Sequence, residues 1–367
     1  MSREGPSVEF IGYINTREYS ETRVVTGPVI DPAYVRAVAN AHEAAGFDRA
    51  LVAFHSTAPD SIIVASHAAY ATQRLGLMIA HRPGFAAPTV AARQLATLDQ
   101  FTQGRIAVHI ITGGDDKELE RDGDFLTKDE RYARTREYLD IMRLEWTSAE
   151  PFDYEGRFYK VKAAHSTVKG LKAPTIPVYF GGASDAAVAV AGRHADVYAL
   201  WGETYAQVAE ITGRVRDAAR AHGRSPRFSL SFRPILADTE ERAWARAEAI
   251  YQKALAIETR AGNPQKEEAV NAGAQRLRAA VSQGERLDKR LWTKMAALYG
   301  GRWNSTALVG TPEQVAEVLL DYYDLGVTTF LIRGFDPLED AVDYGRTLIP
   351  LTRQLVRTRR TTGAAAE

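Results

Sequence analysis

Short apolar runs recur along this chain, each followed by a stretch whose apolar residues fall at helical spacing. The runs cover 8–14, 49–54, 75–80, 106–112, 174–180, 197–201, 228–237 and 328–333. Most are apolar on both faces, the pattern of strands covered on each side. The first long helical stretch, 31–45, places Val35, Val38, Ala39 and His42 on one face, with Asp31 before it and Gly46 after it. Further helices are predicted at 60–72, 89–101, 132–146, 204–222, 312–323 and 338–356, and a small hairpin turns around Gly156. Strands and helices that alternate in this way imply a parallel sheet. Eight such units in 367 residues favour a closed (β/α)8 TIM barrel over an open doubly wound sheet. No GxGxxG follows the first run, which argues against a dinucleotide-binding alternative. The expectation is one barrel domain over 1–357 and a disordered tail over 358–367.

The alternation breaks at 239–305, after the seventh strand, where Ala, Glu, Arg and Gln dominate. Soft points fall at Gly262-Asn263-Pro264, Gly273 and Gly284. An insertion there lies over the C-terminal mouth of a barrel, so it reads as a mobile lid or as an oligomerisation arm.

Charge and composition narrow the partners. The 46 basic and 46 acidic side chains cancel, leaving no electrostatic footprint for nucleic acid or an anionic membrane. There is no cysteine, hence no disulfide framework and no thiolate nucleophile. The first residues lack the apolar core of a signal peptide, and no apolar run approaches the length of a membrane span. A soluble cytoplasmic protein is the expectation.

Barrel chemistry gathers at strand C-termini. Those ends carry Asn15, His55 to Ala58, His81, Arg82, Thr112, Gly181, Gly182, Trp201, Arg233 and Arg333, and Arg302 lies in the segment 300–305. Several guanidiniums and the indoles of Trp201 and Trp303 suit a planar aromatic cofactor and an oxyanion substrate. Each arginine could equally pair with a local acid such as Asp336 or Glu203. The histidines show no metal-ligand spacing, and His109, inside an apolar run, reads as a core histidine. No GxSxG elbow and no paired carboxylates stand at the strand ends. A cofactor that brings its own chemistry is what remains. The stretch 177–185 offers it a seat: an apolar strand, Gly181-Gly182, then Ser184 and Asp185 at a helix N-cap position, where N–H groups and the helix dipole favour phosphate.

Several segments occur together in an order that resembles a known family. They are 89–99, Gly104-Arg105, Thr112-Gly113, 129–132, 179–185, 201–203 and 306–310. The set is similar to the alkanesulfonate monooxygenases among the bacterial luciferase-like flavin enzymes, over roughly 10–351. The resemblance implies a barrel that receives reduced FMN from a separate NAD(P)H-dependent flavin reductase. With O2 it would oxygenate the carbon beside a sulfonate and release sulfite and an aldehyde. It also implies a homo-oligomer, dimer or tetramer. Carried over by position, Tyr132, Gly182, Ala183 and Ser184 would bind the FMN phosphate, with Thr112, His81 and Ala58 near the flavin ring. Trp201, Arg233, Arg302, Arg333 and Asn15 would form the sulfonate pocket, and 239–300 would correspond to the family's mobile loop.

This chain departs from the simple alkanesulfonate enzyme on the substrate side. Ala58 stands for a cysteine, Asn15 for a histidine, Ser231 and Arg233 for an arginine and a histidine, and Arg333 for a small residue, while Phe335 and Pro337 stand for a tyrosine and a histidine. The arginine-rich mouth points to a larger, hydroxylated sulfonate, with sulfoquinovose as the candidate. Two rival readings share the barrel: an F420- or flavin-dependent hydride-transfer dehydrogenase, and a non-catalytic flavin-binding protein.

Overall fold

The computed structural model describes residues 7–172, 175–262 and 271–364. Eight parallel strands close into a (β/α)8 barrel: β1 (Glu9–Ile14), β2 (Arg49–Val52), β3 (Gly76–His81), β4 (Ile106–Ile110), β5 (Val178–Gly181), β6 (Val197–Trp201), β7 (Arg227–Leu236) and β8 (Val327–Ile332). All eight coincide with the apolar runs, β6 without change and the others shifted by a few residues at their ends. The start of the fifth run, at Pro174, lies outside the described residues. Two compact units make up the chain, one of Met1–Ala50, Ala199–Gly213 and Arg227–Glu367, the other of Leu51–Tyr198 and Arg214–Pro226.

In the first unit β8 lies between β1 and β7. Glu9 stands opposite Thr329 and Ile11 opposite Leu331, while Thr329 faces Ser229 and Leu331 faces Ser231. Residues in one lateral row point the same way. The second half of the long β7 pairs instead with a short parallel strand, Ala307–Gly310, which continues into the antiparallel pair Arg286–Leu287 and Leu291–Trp292.

Much of the 239–305 insertion is packed rather than loose. Thr239 caps the helix Glu240–Arg260, whose Ala243, Ala247, Ile250 and Ala254 repeat at helical spacing. They bury against Ile235, Trp292, Met295, Tyr299, Val309 and Phe335. The following helix, Ala272–Val281, is held by Arg276, which forks onto the buried Glu203 at 2.8–2.9 Å and also reaches Glu210 at 2.6 Å. Asn263 and Pro264, expected as a soft point, lie outside the described residues; Gly284 takes a φ of +148°.

The second unit carries β3, β4 and β5 side by side, with His109 opposite both Ala80 and Tyr179. The helix Lys128–Thr147 starts four residues before the 132–146 expected from periodicity. A capping box explains the difference: Thr127 accepts from the Glu130 amide while Glu130 reaches back to the Thr127 amide. The small hairpin is present as Phe152–Glu155 against Lys160–Ala164, and Glu137 accepts the amides of Arg157, Phe158 and Tyr159 in its turn. At the other end of the chain the helix Leu348–Ala364 carries regular structure past 357, where a disordered tail was expected.

Helix packing in this unit predicts an unusual sign for one substitution. Gly→Ala inside a helix ordinarily stabilises by about 0.5–1 kcal/mol. At Gly192 the added Cβ would lie 2.7 Å from the Ala218 carbonyl carbon. Overpacking of that kind costs about 1–3 kcal/mol, so Gly192→Ala should lower the thermal unfolding midpoint. An unchanged or higher midpoint would show that the two backbones separate freely.

Candidate active site

The phosphate turn folds as its residues dictate. β5 ends at Gly181, and Gly182 takes a φ of +125°, a conformation that side chains avoid. Ser184 then caps the helix Asp185–His194, its hydroxyl accepting from the Ala187 amide at 3.3 Å. The amides before Ala187 in this first turn have no intrahelical acceptor by construction. Tyr132, one turn into its helix, brings its phenol to the same place. A Cβ on Gly182 would sit 3.0 Å from the Tyr132 hydroxyl, which also hydrogen-bonds Ser184. Burial raises the Tyr132 pKa, so the phenol keeps its proton and can donate to an anion. Two hydroxyls, a bare glycine and a helix N-terminus thus converge, a donor set that fits a phosphate monoester.

The other residues expected around a flavin ring are distributed unevenly. Thr112, just beyond β4, is buried and its hydroxyl lies 3.2 Å from that of Thr135, which itself donates to the Arg131 carbonyl at 2.8 Å. Ala58 is exposed in the loop after β2. His81 does not face an open mouth: its Nε2 lies 2.7 Å from the hydroxyl of Tyr138, on the helix Lys128–Thr147. Burial pushes its pKa down to about 4, so the ring is neutral near pH 7. His109 is in the neighbouring row beside Tyr179, and its Nδ1 has no partner among the described residues.

Two buried acids that sequence reasoning passed over organise these loops. Glu118 receives both Arg82 amino groups, at 2.8 and 3.1 Å, together with the Ser56 amide at 3.0 Å. It thereby fixes the loop carrying Ala58. The second is Glu21, in the first unit.

The substrate-side residues belong to that first unit. Arg233 lies within β7, opposite Ala307, and Arg333 directly follows β8; both bind Glu21, Arg233 at 2.8 Å and Arg333 at 2.7 Å. Arg233 also donates to the Gly334 carbonyl at 2.9 Å and stacks 3.7 Å above the Phe335 ring. It is therefore a buried partner, where an open mouth residue was expected. Arg333 lies over the Tyr13 ring at 4.8 Å and, with Tyr13, Asn15, Tyr19 and Gly334, lines a cavity. The Asn15 amide donates to the Tyr19 carbonyl at 3.2 Å. Trp201, ending β6, packs against Gly273 of the insertion. Arg302 follows Gly300 and Gly301 in a segment where both glycines and Trp303 adopt positive φ. The acids named as alternative arginine partners are engaged elsewhere: Asp336 with Arg23, and Glu203 with Arg276.

A βα turn with this donor set on a closed barrel is an arrangement that TIM-barrel proteins use for phosphate groups. The family model for luciferase-like monooxygenases matches residues 11–329, and the chain belongs to that family. Solved structures with the same fold include a riboflavin lyase, determined with modified FMN and its substrate riboflavin, at 19% identity, covering 95% of this chain and 92% of that one with a TM-score of 0.76. The EDTA monooxygenase of Chelativorans sp. BNC1 is 20% identical, with 96% and 94% covered and a TM-score of 0.76. A coenzyme F420-dependent tetrahydromethanopterin reductase from Methanopyrus kandleri is 17% identical, with 94% and 99% covered and a TM-score of 0.68. Among the described residues no helix is long and apolar enough to cross a membrane, and no group of three or more acids or histidines could hold a metal.

The buried His81 makes a pH prediction. Its folded pKa of about 4 lies below the ordinary 6.5, so between those values the unfolded chain binds a proton that the folded chain refuses. Its contribution is intact above about pH 6.5 and is lost as pH falls towards 4. His81→Leu should cost about 1–3 kcal/mol at pH 7.5, through the stranded Tyr138 hydroxyl. In urea unfolding the gap from the parent protein should narrow at pH 5; a constant gap would contradict the low pKa.

Proposed function

We propose that this protein is an FMNH2-dependent, two-component monooxygenase that oxygenates an organosulfonate and cleaves its C–S bond, releasing sulfite and an aldehyde. The observation that carries the reading is the convergence of Tyr132, Gly182 and Ser184 on one helix N-terminus. Family membership supports it, as do neighbours named as monooxygenases, one of them solved in complex with FMN.

On this reading Tyr132, Gly182, Ala183 and Ser184 hold the FMN phosphate, with Thr112 and Ala58 towards the ring and His81 behind them. Reduced flavin supplies the O2 chemistry when bound, and a separate NAD(P)H:flavin reductase delivers it. The chain's own task is to bind, orient and keep water out. Trp201 and the packed helix Ala272–Val281 serve the exclusion of water. A sulfonate is permanently ionised near neutral pH, so taking it out of water demands charge-assisted hydrogen bonds. Arg333 and Arg302 supply them, Arg233 and Glu21 back up Arg333, and Asn15 contacts the remainder of the substrate. The polar character of the group favours a hydroxylated sulfonate, and sulfoquinovose is the substrate we name.

Sulfite release by the purified protein with reduced FMN, O2 and a sulfonate panel tests the reaction. Release from sulfoquinovose supports it. Release from octanesulfonate or methanesulfonate alone removes that substrate, and turnover that persists without O2 assigns the protein to hydride transfer instead. The double variant Tyr132→Phe, Ser184→Ala should weaken FMN binding at least tenfold while leaving the ranking of sulfonates unchanged. Unaltered flavin affinity in a fluorescence titration would put the phosphate elsewhere.

A further inference from the structure

Where the loop after β1 meets the middle of β7 and the end of β8, the structure holds two guanidiniums on one carboxylate. Glu21 Oε1 takes Arg233 at 2.8 Å and Arg333 at 2.7 Å, and its Oε2 takes the other Arg233 amino group at 2.8 Å. The Glu21, Arg233 and Arg333 side chains are 12%, 2% and 21% exposed, so solvent screens the group poorly. Its neighbours hold the acid in place. Thr22 donates to the Phe335 carbonyl at 3.3 Å, Arg23 binds Asp336 at 2.8 Å, and Ser20 and Thr22 share a 2.9 Å hydroxyl contact. The loop after β1 is thus fastened to the loop after β8 immediately beyond Glu21. The two arginines hold the Glu21 carboxyl far below the ordinary range, so it stays charged at any working pH.

Charge counting then has a consequence. Two positive charges and one negative leave a single positive charge beside the cavity that Arg333, Tyr13, Asn15 and Tyr19 line. A singly charged anion is neutralised there, while a doubly charged one brings in a negative charge with no partner, which is costly away from water. We propose that Glu21 is a positioning residue which holds Arg333 and cancels one arginine charge, making the site a receptor for monoanions that discriminates against dianions. The proposal rests on the sulfonate reading above and gives that site its selectivity.

Near neutrality the tyrosine and histidine rings facing this cluster add no charge to the count. Tyr19, Tyr299 and Tyr344 all have raised pKa values, chiefly through burial, and His42, which also lines the cavity, is pushed down to about 4. Glu258, on the helix Glu240–Arg260, acts electrostatically on Tyr19 and Tyr299; its negative charge offsets that of Arg302, which the sulfonate reading also brings to the ligand, and the balance stays at one positive charge, while Tyr13 acts on Arg333.

A matched pair of ligands tests this: sulfoquinovose, a C6 sulfonate of charge −1, and glucose 6-phosphate, which is largely −2 at pH 8 because its second pKa is about 6. Calorimetric titration of the full-length protein at pH 8 should show sulfoquinovose binding at least tenfold tighter. Glu21→Gln should shift that ratio at least tenfold towards the phosphate, and Glu21→Asp, which keeps the charge, should preserve the ranking. Lowering the pH to 5 should tighten glucose 6-phosphate binding to the unaltered protein severalfold and leave sulfoquinovose unchanged. This second arm needs no variant and decides the matter should Glu21→Gln fail to fold. A ratio unmoved by Glu21→Gln, or a flat pH response of the phosphate, overturns the role of Glu21 while sulfite release leaves the proposed reaction standing. Absence of both sulfonate binding and sulfite release overturns the reaction and the inference together.

Discussion

Side chains alternate across a strand, and in a closed barrel that alternation decides which residues meet the helices and which meet the interior. The register of β1, β8 and β7 stacks Glu9, Thr329 and Ser229 in one row and Ile11, Leu331 and Ser231 in the next. Two residues further along each strand come Tyr13, Arg333 and Arg233, and the 4.8 Å stacking of Arg333 on Tyr13 fits that third row. A one-residue slip of β8 would send Arg333 to the opposite face, away from both Tyr13 and Glu21. The chemistry of this unit therefore depends on backbone pairing well below it.

The second constraint is the cost of buried charge. A guanidinium removed from water without a partner is destabilising by several kcal/mol, so an arginine-rich layer needs acids within reach. Arg82 has Glu118, Arg246 has Asp340, Arg276 has Glu203, and Arg233 shares Glu21 with Arg333. That arginines here would pair locally was a sound expectation in kind. The partners differ because Asp336 and Glu203 are drawn to Arg23 and Arg276.

These two constraints explain what could be read from the chain. All eight strands were visible because strands covered on both faces are continuous apolar runs, and burial of that sort leaves an unmistakable pattern. The caps at Asp31, Asp60 and Ser184 were visible because a cap is a local event within three residues. The early start of the Lys128–Thr147 helix was missed because its capping box precedes the first apolar residue that periodicity detects. His81 was assigned by its place at a strand end, but only the register and the 2.7 Å contact with Tyr138 reveal which way it points. Glu118 and Glu21 were missed for a plainer reason. Each lies in a charged stretch, DKELE and REYSETR, where a buried acid looks the same as a solvated one.

The two halves of the proposed site differ in legibility for the same reason. The phosphate turn is assembled from Gly182, Ala183 and Ser184 with one helix residue, Tyr132, so most of its chemistry is contiguous and its geometry follows from backbone conformation. The anion cluster joins Glu21 to Arg233 across 212 positions and to Arg333 across 312. No local pattern encodes such a pairing. It exists because barrel closure makes β8 the neighbour of both β1 and β7, and because the loop after β1 is fastened to the segment after β8 through Thr22 and Arg23. Substrate selectivity in a fold of this kind can therefore change by altering one loop acid, with the strands and the phosphate turn left untouched.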